Sequence, residues 1–132
     1  LVTYHDAYAY FAENFGWQVV GAVQPSDFAD PTPSEVVTLI EQIRAEGVPT
    51  IFGSEVFPSN VLEEVGNETG VRYEQSLRDD DLPGAPGEEN HSWLGLMQYN
   101  FATMIEGLGG DASNVRAVDI TSPVSDTADY PQ

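Results

Sequence analysis

Two stretches of this sequence carry side chains able to bind a cation. His5 follows the apolar run Leu1-Val2-Thr3-Tyr4 and precedes a segment with helical spacing, so it falls where a strand passes into a helix. A neutral imidazole there can face a cleft and ligate a divalent metal, although a lone histidine at a helix start is commonly a capping or surface group. Asp79-Asp80-Asp81 follows a later apolar run. Three adjacent carboxylates repel one another unless a cation or solvent compensates, so the triplet is either a cation ligand or a solvated turn. Glu55 has the chemistry to orient a ligand from behind, and equally that of an ordinary loop glutamate. His91, between Asn90 and Ser92, reads as an exposed residue of a helix cap.

Composition narrows the chemistry. There is no cysteine, which removes disulfides, thiolate zinc sites and cysteine nucleophiles, and leaves imidazole and carboxylate as the metal ligands. The 22 Asp and Glu residues face four basic residues, all arginine, for a net charge of -18. Such a charge repels phosphate backbones and anionic membrane surfaces, which argues against nucleic-acid binding, and it attracts cations without locating a site for them. A solvated acidic surface suited to solubility or high salt explains the same charge. No segment approaches the roughly 18 consecutive apolar residues of a membrane-spanning helix. A content of 41% hydrophobic residues in 132 is enough for one compact domain. The opening at an apolar, β-branched run without an initiator methionine suggests a fragment cut at a strand.

The elements that must position these groups alternate. A strand is expected over Leu1 to Tyr4, then a helix from Asp6 to Asn14 with Ala7, Tyr8, Tyr10 and Phe11 on one face and Gly16 as its stop. Trp17 to Val23 reads as a second strand. Pro33-Ser34-Glu35 opens a helix with Val36, Val37, Leu39, Ile40 and Ile43 as its apolar stripe and Gly47 as its end. Val48 to Phe52 is a short, continuously apolar third strand. A helix from Pro58-Ser59-Asn60 to about Glu68 and a fourth strand over Val71 to Leu77 follow. A loop over Arg78 to Asn90 leads to an amphipathic helix from Ser92 to Leu108, ended by Gly109-Gly110. Residues 111–132 are polar and acidic and read as an extended or poorly ordered tail.

Strand and helix alternating in this way predict an α/β fold, a parallel four-stranded sheet with helices on both faces. Ligands of such sheets sit beyond the carboxyl ends of the strands, which selects Tyr4-His5-Asp6, Gly53-Ser54-Glu55 and Arg78 to Asp81. Two ligands are too few for a closed structural zinc site, so the other ligands are in another part of the protein or the site is not a metal site. Enzymatic readings on a small α/β domain find little support. A phosphoacceptor receiver using the Asp79 to Asp81 cluster would want a lysine, and there is none. The Gly-x-Ser-x-Gly elbow of a serine hydrolase and a glycine-rich phosphate loop after a strand are both missing. An adhesin or other interaction module requires no motif and remains an alternative.

The stretch His5-Asp6-Ala7-Tyr8-Ala9-Tyr10-Phe11 closely resembles the His-Asp-Ala-Tyr-Gly-Tyr-Phe signature of the zinc- and manganese-binding solute-binding proteins of ABC importers. Further similarities follow in order. Val48-Pro49-Thr50-Ile51-Phe52 is similar to the family's third strand and Glu68-Thr69-Gly70-Val71 to its Glu-Thr-Gly-Val turn. Trp93-Leu94-Gly95-Leu96-Met97-Gln98-Tyr99-Asn100 resembles its Tyr-Leu-Gly-Met-Met-Arg-Tyr-Asn helix. The likeness covers residues 1–110, and several motifs in sequence are more specific than any one. One departure is visible: a Phe-Val-Glu pattern at the end of the third strand is here Phe52-Gly53-Ser54, with Glu55 displaced by one.

The resemblance implies one lobe of a two-lobed protein, residues 1–110 being the C-terminal lobe, with a metal held in the cleft and two ligands from each lobe. His5 is then one ligand and Asp80 the other, with Asp79 and Asp81 as the alternatives one residue out of register. The N-terminal lobe with the remaining ligands is not in this chain. The implied function is extracytoplasmic capture of a divalent transition metal, zinc ahead of manganese, for an ABC permease in the membrane, without catalysis. Location in the periplasm or at the cell surface, with any lipid anchor upstream, is likewise implied.

Overall fold

The computed structural model describes residues 1–5, 7–24, 31–54, 59–78 and 81–121, with His5 and Gln24 by backbone alone. The chain divides into two compact units, Leu1–Ser76 and Leu77–Gln132.

The first unit is built on a sheet with strand order β2-β1-β3-β4, formed by β1 (Val2–His5), β2 (Gly21–Gln24), β3 (Thr50–Ser54) and β4 (Arg72–Leu77). β1 pairs in parallel with β2, His5 opposite Gln24, and with β3, Thr3 opposite Phe52. The Arg72 amide donates to the Pro49 carbonyl at 3.2 Å, which sets the start of β4 beside the start of β3 and makes it parallel too. The expected parallel four-stranded α/β sheet is therefore present.

Between the strands run α1 (Ala9–Phe15), α2 (Pro33–Glu46) and α3 (Asn60–Thr69). α2 and α3 pack against each other, and Leu39, Ile43, Leu62 and Val65 join Val2, Val23, Val48 and Ile51 in one buried cluster. Thr3, Thr50, Phe52 and Ser54 alternate with that set and are buried as well, so β3 is covered on both faces. The right-handed crossover rule assigns α1, whose connection runs the opposite way across the sheet, to the face away from α2 and α3.

Local chemistry fixes the boundaries. Thr32 caps α2 with a reciprocal pair: its side chain accepts from the Glu35 amide, and the Glu35 carboxylate accepts from the Thr32 amide at 2.7 Å. Gly47 and Gly70 close α2 and α3 at φ 60° and 75°, a backbone that glycine adopts at no steric cost. The third strand starts two residues later than its apolar run because the Val48 amide is spent on the Ile43 carbonyl at the end of α2. The second strand is shorter than its sequence suggests: Trp17 packs its ring edgewise on Phe11, 5.9 Å between centroids, before the ladder begins at Gly21.

The second unit contains α4 (Trp93–Gly107), capped by the Ser92 hydroxyl, and a one-turn helix α5 (Ser113–Arg116). An extended tail was expected from residue 111, but α5 packs on α4. The Gln98 amide donates to the carbonyls of Val115 at 3.0 Å and Val118 at 2.9 Å, and Arg116 forms a two-pronged ion pair with Glu106. Residues 122–132 of that tail lie outside the described residues. No described helix is long and apolar enough to cross a membrane.

Candidate metal centre

From β1 the chain steps to β2 on one side, whereas from β3 it steps to β4 on the other, so the connections diverge at the β1/β3 boundary. Diverging connections leave a crevice outside the carboxyl ends of those two strands, the place where ligands bind in open α/β sheets. His5 is the last residue of β1 and Ser54 the last of β3, so the backbone delivers His5 to the edge that the sequence selected. Glu55 and Asp6 lie outside the described residues, as do Asp79 and Asp80. Among the described residues no three His, Asp or Glu side chains converge closely enough to hold a metal.

The flanks of Asp79 and Asp80 are defined. On the near side, the Arg78 amide donates to Asn100 Oδ1 at 3.0 Å, and Asn100 Nδ2 donates to the Arg78 carbonyl at 2.7 Å. This exchange fixes the orientation of the amide, since a flipped one would set donor against donor and acceptor against acceptor. Asn100 is 6% exposed, and it is the one polar residue in the buried set of α4. On the far side, the Arg78 guanidinium donates through Nη1 to the Leu82 carbonyl at 3.2 Å and lies 4.0 Å from the Asp81 carboxylate. The same guanidinium stands 5.5 Å from the centre of the Tyr99 ring.

His91 corrects an expectation. It is 5% exposed, not a surface group, and its Nδ1 is 3.2 Å from the Pro83 carbonyl. The loop folds back on the helix start, where Ser92 caps and Gly95 lets the Asn90 backbone approach, and this return buries the ring. Asn100 and Tyr99 were legible only as members of a motif; an asparagine in an otherwise apolar helical stripe was the signal that it had a partner to hold.

The four-stranded sheet and its helices are those of one lobe of the two-lobed periplasmic metal-binding proteins. A solved structure of the periplasmic zinc binding protein TroA from Treponema pallidum superposes with a TM-score of 0.70 at 25% identity, over 82% of this chain and 40% of that one. The manganese-binding lipoprotein MntA of Halalkalibacterium halodurans is 23% identical over 108 residues, 82% of this chain and 36% of its own length. The iron-binding protein YfeA of Yersinia pestis is 27% identical over 109 residues, 83% of this chain and 35% of its own. The family model described as zinc-uptake complex component A, periplasmic (ZnuA), matches residues 1–107. The chain belongs to this family, and it spans about a third of the length of the curated relatives it matches.

Proposed function

We propose that the complete protein captures a divalent transition metal outside the cytoplasm and delivers it to the membrane permease of an ABC importer. His5 and Asp80 are the two ligands that this lobe contributes. Membership of the zinc-uptake family across residues 1–107 carries the reading. It is supported by the position of His5 at the end of β1, on the ligand-binding edge of the sheet. Asp80 is preferred to Asp81 because the Asp81 carboxylate already has the Arg78 guanidinium beside it.

The other lobe of the complete protein contributes two further ligands, both imidazoles. A set of three imidazoles and one carboxylate suits zinc, so zinc is placed ahead of manganese. The related proteins are named for manganese, iron and zinc, which supports a divalent cargo and leaves the choice to the ligand set. Capture requires no bond to carbon or phosphorus to be made or broken. The metal exchanges water for protein ligands, and release follows a shift that moves one ligand away from the others. The periplasm or cell surface is the site of this exchange.

Titration of the full-length protein with zinc and manganese against a competing chelator tests the reading. Tight 1:1 binding is expected, weakened strongly in His5→Ala and in Asp80→Ala. Unchanged affinity in either variant removes that residue from the ligand set, and no binding by the intact protein would bring an interaction-module role forward.

A further inference from the structure

We infer that Asn100 is a positioning residue for metal binding: it clamps the backbone at Arg78 and thereby sets the segment that carries Asp80. This rests on the assignment of Asp80 as a ligand. Three contacts converge. Asn100 takes both the amide and the carbonyl of Arg78, so the peptide plane on each side of that residue is held. Tyr99, the preceding residue of the same helix, lies under the Arg78 guanidinium. The guanidinium in turn closes on the Leu82 carbonyl. The two flanks of residues 79–80 are thus tied to each other through one side chain and to α4 through its neighbour. A carboxylate two residues from a clamped peptide inherits its placement from that clamp, and a helix is a stiffer support than a loop.

The burial of Asn100 is a cost that packing alone does not explain. An apolar side chain of the same volume would need no partner, whereas an amide at 6% exposure must find one for each of its polar atoms. Asn100 spends its amide oxygen and nitrogen on one residue of the loop, not on its own helix. A residue retained solely to fill the core would not need that geometry. Groups that orient metal ligands from behind typically cost about 10–100-fold in affinity when removed.

The experiment is a double-mutant cycle on the full-length protein, reading zinc and manganese affinity by chelator competition in wild type, Asn100→Ala, Asp80→Ala and the double variant. Asn100→Ala is expected to weaken binding about 10–100-fold. In the Asp80→Ala background the same change is expected to weaken it less than about twofold, because its effect passes through the ligand it positions. Equal losses in both backgrounds overturn the inference, since a purely structural residue would be felt whether or not Asp80 is present. Weakened binding in Asp80→Ala beside wild-type affinity in Asn100→Ala overturns the positioning role and leaves the ligand assignment standing. Unchanged affinity in Asp80→Ala overturns the ligand assignment and the positioning role with it. Asn100→Asp keeps the volume and the acceptor for the Arg78 amide while setting an oxygen against the Arg78 carbonyl. It serves where the alanine variant does not fold, with the same non-additivity expected.

Discussion

A carbon added to Gly53 would stand 2.6 Å from the Tyr73 hydroxyl oxygen and 2.8 Å from the edge of its ring. Tyr73 reaches across from β4, and its hydroxyl accepts from the Ser59 amide at 3.3 Å, at the cap of α3. The ring therefore occupies the space that a side chain on Gly53 would need. This accounts physically for glycine in the second position of Phe52-Gly53-Ser54, where the related pattern has valine.

Gly53→Ala is expected to destabilise the protein by about 1–3 kcal/mol, the usual range for forcing extra volume into a packed core. Replacing glycine by alanine also reduces the freedom of the unfolded chain, a gain of about 0.4–1 kcal/mol, which is the smaller effect. Urea unfolding of full-length Gly53→Ala and of Gly53→Ala with Tyr73→Leu checks it. The second change should restore part of the loss, and a Gly53→Ala protein as stable as wild type would show that the Tyr73 ring yields freely.

At the start of α4 a second close approach makes a sharper prediction. A carbon on Gly95 would overlap the Asn90 carbonyl group, 2.7 Å from its carbon and 2.9 Å from the Asn90 Cα. Helix propensity alone favours alanine over glycine by about 1 kcal/mol. Here the obstacle is backbone and cannot rotate away, so Gly95→Ala is expected to lower stability and to expose the 83–91 loop. Hydrogen exchange at the His91 and Ser92 amides, which bond to the Glu88 and Asn90 carbonyls, reports it directly. Protection equal to wild type would place the Asn90 backbone farther from α4.

Much of this architecture was legible in the sequence, and the shortfalls have physical causes. The start of α2 at Pro33-Ser34-Glu35 and its end at Gly47 were readable because helix termini are set by local chemistry, although the capping residue itself, Thr32, was not singled out. Strand limits were less so: Val48 and Trp17 are apolar enough for a ladder, but one completes a helix terminus and the other packs on Phe11. His5 could be placed at a strand end from its neighbours. The partners of Asn100 and the burial of His91 depend on loops folding back over eight to 22 residues, which periodicity does not record.

The cap of α2 gives a pH dependence. The Glu35 carboxyl is held below its ordinary value, first by the Thr32 hydroxyl and then by the Thr32 amide. A carboxyl with a depressed folded pKa adds stability that is fully present above its unfolded value, roughly 4.3, and is lost as pH falls through the folded one. The stability difference between wild type and Glu35→Gln should therefore be largest near neutrality and shrink below about pH 4. Thr32→Ala removes the reciprocal partner and should cost about 1 kcal/mol at pH 7. Denaturant unfolding of the three proteins at pH 7 and pH 3 separates these effects from the general loss of acidic repulsion, which all three share. A wild-type advantage over Glu35→Gln that grew on acidification would mean that the ionised carboxylate does not hold the cap.

Salt should act on the whole molecule. Pairing each of the four arginines with one acid would still leave 18 of the 22 carboxylates without a cation, the same figure as the net charge of -18. Among the described residues the pairs are Arg72 with Glu74, Arg116 with Glu106 and the looser Arg78 with Asp81, and the first two involve arginines more than half exposed. Such pairs contribute about 0–1 kcal/mol each, less at high salt. Repulsion among the uncompensated carboxylates acts over the Debye length, which falls from about 10 Å at 0.1 M to about 3 Å at 1 M. Screening removes more repulsion than attraction here, so the thermal midpoint of this 132-residue chain should rise between those two concentrations of potassium chloride. Sodium chloride should act equally, since screening depends on charge and not on the identity of the cation. A rise with one salt alone would indicate specific ion binding, and a midpoint that falls with both would mean that paired charges outweigh the repelling ones.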